Sequence, residues 1–177
     1  MARRKPWPLP DPIPGEDRTF GSGLYIDLIP RSSWYSNARS AMRPETWKRV
    51  SLAVRERADT SCEVCGAIAD PANRQYHAAH ERWDFDETSR SQTLRRLMCL
   101  CDACHAATHY GHTELEGDVE AAQERLMTLN GWDELRLLEH IDRAFEVWRR
   151  RSAIEWRVDV SMLRAAGVPL IVQAELT

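Results

Sequence analysis

Two Cys-x-x-Cys pairs, Cys62–Cys65 and Cys101–Cys104, enclose the dipeptide His80-Glu81, and the second pair runs straight into His105 and His109. A CxxC segment folds into a tight knuckle that presents two thiolates to one ion, and two knuckles complete the closed four-sulfur shell that Zn²⁺ prefers. These four cysteines are therefore expected to hold a structural Zn²⁺. His105 and His109, four residues apart, would leave one face of a following helix and hold a second ion in an open shell. A closed site beside an open one points to a metal-dependent enzyme.

Such ligands need elements to carry them. Residues 75–83 read as a strand bearing His80, residues 84–92 as a polar loop, and residues 94–100 as a second, apolar strand. The segment from His105 to His109 favours a helix ending near Gly111. Upstream, Pro44 suits the first position of a helix whose apolar stripe is Trp47, Val50, Val54 and Ala58, which leaves Lys48 and Arg55 together on another face. Residues 25–29, bounded by Gly23 and Pro30, read as a short strand. Downstream, residues 118–129 and 133–151 are expected helices separated by Asn130-Gly131, the second with a stripe of Leu135, Leu138, Ile141, Phe145 and Trp148. The tail alternates Ile154, Trp156, Val158 and Val160, offers Ser161 as a helix cap, and ends on an apolar segment at 168–172.

At the other end, Pro6, Pro8, Pro10, Pro12 and Pro14 occupy every second position. This favours extended polyproline II, an arm expected to be disordered or docked on this chain or a partner. The fold class expected is α+β: a small ββα-metal core stapled by a four-cysteine zinc site, preceded by the proline-rich arm and a basic helix and followed by two helices and a short β/α tail. The divisions are 1–24 for the arm, 25–60 for the basic strand–helix segment, 61–112 for the core and 113–177 for the extension, all in one compact domain.

At 177 residues, 43% of them hydrophobic, the chain suffices for one ordinary core. No apolar stretch approaches the ~20 residues of a membrane span, and the opening Met-Ala-Arg-Arg-Lys lacks the apolar region of a signal peptide, so the expectation is a cytoplasmic protein with no membrane partner. Five cysteines, four in metal spacing, fit a reducing compartment better than a disulfide framework. Cys99, within Leu97-Met98-Cys99-Leu100, reads as a buried small hydrophobe. The net charge of −3 argues against a surface basic all over. From residue 31 to 60, however, seven basic residues stand against three acidic ones, and an anionic partner would meet this stretch first. Its Arg39, Arg43, Lys48, Arg49 and Arg55 are candidate phosphate contacts. The seven tryptophans are assigned to the core, and His77, His112 and His140 receive no functional role.

Cys62-x2-Cys65, Ala79-His80-Glu81, residues 97–100, Cys101-x2-Cys104-His105 and His109 together resemble an HNH, or ββα-metal, endonuclease of the zinc-knuckle type. The resemblance covers residues 61–112, less than a third of the chain. It implies hydrolysis of phosphodiester bonds in DNA, with His80 as general base and with His105 and His109 holding catalytic Mg²⁺, Mn²⁺ or Zn²⁺. The chain departs from the family pattern in three respects, one of them an acidic run of Glu114, Glu116, Asp118 and Glu120 close after the metal helix, which would repel DNA unless turned away. Ala79 stands where a third metal ligand is usual, and Arg96, which could grip phosphate, stands where the family has asparagine. Either His80 is then the third ligand and Glu81 or a water moves the proton, or Asp84 or Asp86 folds back to complete the shell. Two rival readings are a non-catalytic zinc module that binds DNA or protein, and an accessory subunit tethered to a protein partner through the proline-rich arm.

Overall fold

The computed structural model describes residues 5–73 and 75–171. Among them are six helices and one three-stranded sheet of order β1-β2-β3, an α+β arrangement. Pro44 opens α1 (Pro44–Arg57), as its fixed φ favours. Strands β1 (Ala78–Asp86) and β2 (Ser91–Leu100) pair antiparallel, with a bulge after Arg82 that leaves Arg95 as the extra residue. Then follow α2 (Asp102–Thr108), α3 (Tyr110–Glu116), α4 (Val119–Asn130), α5 (Glu134–Arg151), β3 (Arg157–Asp159) and α6 (Ser161–Ala165). None of these helices is long and apolar enough to cross a membrane.

The run Leu97 to Leu100 is buried throughout because β2 carries a core on each face. Leu97 and Cys99 face α1, α6 and the tail with Trp83, Phe85, Trp156 and Leu163; Met98 and Leu100 face α2, α4 and α5 with Cys104, Tyr110, Leu126 and Leu137. Cys99 is thus the buried hydrophobe expected of it.

Strand β3 pairs with β2 only at Ser91 to Thr93, so the rest of that edge must be satisfied otherwise. The arm covers the next stretch: Asp17 N–H donates to the Arg95 carbonyl at 2.9 Å, and the Glu16 carboxylate accepts from Leu97 N–H at 3.3 Å. Arg57 bridges the two, donating to Glu16 at 2.7 and 2.8 Å and to the Leu97 carbonyl at 2.8 Å. The first knuckle takes Cys99, where Glu63 N–H donates to its carbonyl at 2.9 Å and the Glu63 carboxylate accepts its N–H at 2.6 Å. The arm therefore lies along its own chain. Trp7 N–H donates to the Arg49 carbonyl, Arg49 donates to the Lys5 and Pro6 carbonyls and stacks on the Trp7 ring, and Ile13 is 1% exposed.

Several expectations change. Residues 25–29 form no strand, because their amides go elsewhere: Ile26 N–H donates to His140 Nε2 and Asp27 N–H to the Thr108 carbonyl. This also gives His140 a structural role. The stretch 84–92 is strand at both ends, since Asp84 and Asp86 are simply the solvent face of β1 around buried Phe85. The chain does not stop at Gly111; it bends at His109, and α3 runs on to Gly117, whose φ of +86° ends it. Helix α5 buries Leu137, while Leu135 and Leu138 are exposed. The cap of α6 is Val160, with the Asp159 carboxylate accepting Ser161 N–H. Of the segment 168–172, Val168 is buried and residue 172 lies outside the described residues.

Candidate metal centres and the cleft beside them

The first knuckle forms because Gly66 takes φ +74°, which lets its N–H reach the Cys62 carbonyl at 2.8 Å while Cys62 N–H reaches the Ala67 carbonyl at 2.8 Å. His77 Nε2 lies 2.8 Å from that same Ala67 carbonyl, so this histidine is a brace for the knuckle. The second knuckle is the junction of β2 with α2, Cys101 preceding the helix and Cys104 within it. The Glu63–Cys99 pair brings the two together, and the ligand atoms of Cys62, Cys65, Cys101 and Cys104 all lie within 4.8 Å of one another. Four thiols so placed could bind a metal ion such as zinc. Their protons are already in competition. A hydrogen bond from Cys104 lowers the Cys62 thiol to about 4, the same bond pushes Cys104 up, and burial raises Cys101.

Arg125 of α4, which nothing in its own stretch of sequence singles out, donates from Nη2 toward Cys104 Sγ at 3.4 Å and Cys101 Sγ at 3.9 Å. Four thiolates around a divalent cation would carry a net charge of −2, and this guanidinium would offset part of it.

The second cluster lies on the other side of α2. In the register, His80 is opposite Met98, whose side chain belongs to the α2 face of the sheet, so His80 points toward α2. His105 and His109, one turn apart, meet it there. Ring centroids are 4.5 Å apart for His105–His109, 4.9 Å for His80–His109 and 5.4 Å for His80–His105, and the three ligand nitrogens fall within 4.8 Å of one another. His80 Nε2 is buried and has no hydrogen-bond partner among the described residues, so its lone pair or N–H is not taken up by the protein. Burial favours the neutral form of all three imidazoles. It drives His80 well below its ordinary range with help from the Arg82 charge, lowers His109 to about 3 and lowers His105. Neutral imidazole is the form that binds metal.

Glu81 is placed differently. It lies opposite Leu97 on the other face of the sheet, where its carboxylate accepts from Arg39 N–H at 3.3 Å and from Trp83 Nε1 at 3.0 Å. Burial pushes its carboxyl up to about 7. Asp84 and Asp86 do not join the histidines; Asp86 is occupied by Thr88 and Ser89 in its own hairpin turn. One carboxylate beside the histidines is Asp27, paired with fully buried Arg82 at 3.1 Å.

Strand β1 is the sheet edge, and along it runs a cleft of about 1030 Å³ lined by His80, His105, His109, Glu81 and Asp27. A second groove of about 440 Å³ adjoins it, lined by Arg39, Trp47, Lys48 and Arg55, so the shared helix face expected for Lys48 and Arg55 is real. Arg43 is exposed nearby on the chain. Arg49 is taken up by the arm. Arg96 is turned inward, 7% exposed and bonded to Glu63 at 3.0 Å, because the knuckle needs a cation there.

Compared with known proteins, the chain matches no family model, no curated protein and no solved structure.

Proposed function

We propose that this protein is a metal-dependent DNA endonuclease of the HNH, ββα-metal kind, with a Zn²⁺ stapled by Cys62, Cys65, Cys101 and Cys104. The observation that carries the reading is the convergence of His80, His105 and His109 on one point at the wall of an open cleft. In this arrangement His80 is the third ligand and replaces what Ala79 lacks. Three neutral imidazoles suit Zn²⁺ better than Mg²⁺ or Mn²⁺, which prefer oxygen donors. His80, His105 and His109 would hold the cation, which would supply Lewis acidity for the charge that builds on the phosphate only in the transition state. The chain's own groups do the rest. Arg39, Lys48 and Arg55 bind backbone phosphates beside the cleft, with the salt dependence such contacts bring. Asp27 holds Arg82, which sits behind the histidines and favours their neutral form.

Plasmid nicking across added divalent metals tests the reading. Wild type should nick with Zn²⁺ and lose the activity with chelator, and His109→Ala should be inactive while keeping its fold. Nicking by His109→Ala at the wild-type rate contradicts it.

A second reading has its own support. Glu81 is tied by two hydrogen bonds away from the histidines, so no free carboxylate base stands in the cluster among the described residues, as in a zinc module that binds DNA or protein without cutting. Metal-dependent binding with no turnover in the same assay favours that module.

A further inference from the structure

The cleft has a wall that phosphate chemistry does not require. Trp34 Nε1 and Trp148 Nε1 both donate to a single acceptor, the Ile29 carbonyl, at 3.1 and 3.0 Å. One carbonyl thus fixes two indoles along the same cleft as the histidines. Arg31 stacks on the Trp148 ring at 4.8 Å. Trp34 is 55% exposed, so it is a held aromatic plane open to solvent and not the core residue expected from the sequence. Leu115 on α3, which lines the same cleft, is 86% exposed. An aromatic plane kept rigid by its own hydrogen bond, and left uncovered, offers a flat apolar ligand a surface at little entropic cost.

We infer that this wall stacks an unpaired base of a single-stranded nucleic acid whose backbone follows the basic groove of Arg39, Lys48 and Arg55. The inference rests on the proposed function for its location, and it names the substrate class. In a duplex the base faces are covered by their neighbours and only phosphates and groove edges are presented, so a duplex leaves Trp34 without a partner. The single strand supplies both halves of the complement, a π-face for the indole and phosphates for the guanidinium and ammonium groups. Trp47 lies where the two cavities meet, and a strand passing from one to the other crosses it. Glu114 also lines the cleft, and a second phosphate strand on that side would meet its charge.

The test is fluorescence anisotropy with labelled oligonucleotides of about ten residues, a length within single-strand site sizes, using full-length protein and no added divalent metal so that nothing is cut. The probes are single-stranded DNA, single-stranded RNA, the DNA duplex and an abasic DNA strand of equal charge. Single strands should bind more tightly than the duplex, and the DNA and RNA arms show which sugar is taken. Trp34→Ala should weaken single-strand binding about ten-fold, the loss of one stacked base, to the level of the abasic strand, while Trp34→Phe retains most of it. Trp34 is exposed, and an unchanged circular dichroism spectrum confirms that the variant is folded. Equal binding of duplex, abasic and normal strands, an unaffected Trp34→Ala, or no binding of any probe overturns the inference. Strand binding that depends on Trp34 without metal-dependent cleavage removes the endonuclease and leaves the base site. Duplex cleavage indifferent to Trp34→Ala does the reverse.

Discussion

Glu63 and Cys99 are joined twice, the Glu63 amide donating to the Cys99 carbonyl at 2.9 Å and the Cys99 amide donating to the Glu63 carboxylate at 2.6 Å. One residue of the first knuckle thereby acts as a strand partner for β2, two positions before the second knuckle begins. Arg96 closes the contact from below at 3.0 Å. Glu63→Ala should cost about 1–3 kcal/mol, the penalty of unpairing a buried amide and a charged partner. It should also loosen the four-thiol site, seen as a lower denaturation midpoint together with faster zinc release to a chromogenic chelator. A midpoint that falls with zinc release unchanged contradicts the link between this contact and the metal.

Arg125 predicts a more selective effect. Arg125→Met preserves the aliphatic packing but removes the only guanidinium donating to Cys101 and Cys104 among the described residues. Zinc should leave about ten-fold faster, the low end of the cost of losing an outer hydrogen bond to a metal ligand. Thermal stability of the zinc-loaded protein should change little. Identical release rates would remove the charge-offsetting role.

The arm is a structural part of the chain through Glu16, whose side chain is fully buried against Arg57. Glu16→Ala leaves the Arg57 charge unpaired and should destabilise by about 3–5 kcal/mol. Adding Arg57→Met should recover part of the loss, which urea denaturation of the three variants would reveal. Equal stability of Glu16→Ala and wild type contradicts this staple.

Acid stability has a local source in the β1–β2 turn. Hydrogen bonds from Ser89 and Thr88 hold the Asp86 carboxyl below its ordinary value. A folded-state pKa below the unfolded one gives stabilisation that is complete above the unfolded value, near pH ~4, and is lost as pH falls through the folded one. Asp86→Asn should therefore be less stable than wild type at about pH 6, with the gap closing toward about pH 3. Thermal melts of the two proteins at matched pH cancel the contribution of the metal, and a gap independent of pH contradicts the assignment.

What is legible in the sequence is the chemistry with short spacing. CxxC and the four-residue step from His105 to His109 are local geometry, and the fold gathers the four thiols into one cluster and the two histidines, with His80, into another. Strand and helix faces are harder to read. Asp84 and Asp86 look like loop residues until the sheet supplies a solvent face, and in α5 the stripe Leu135–Leu138 competes with the Leu137–Ile141 stripe that is packed inward. Glu63, Arg125, Glu16 and the Ile29 carbonyl are invisible in the sequence because each matters through a partner far along the chain. Residue type alone assigns Trp34 to the core, and only tertiary placement shows it uncovered.

The existence of two separate metal centres is decided by metal content per chain, measured by mass spectrometry after dialysis against buffered Zn²⁺. Three proteins are compared: wild type, His105→Ala/His109→Ala and Cys62→Ser/Cys104→Ser. Two ions are expected in wild type and one in the histidine variant, which keeps its fold, whereas the cysteine variant should lose both metal and fold. A single ion in wild type, unchanged when both histidines are replaced, would contradict the second centre and the function proposed from it.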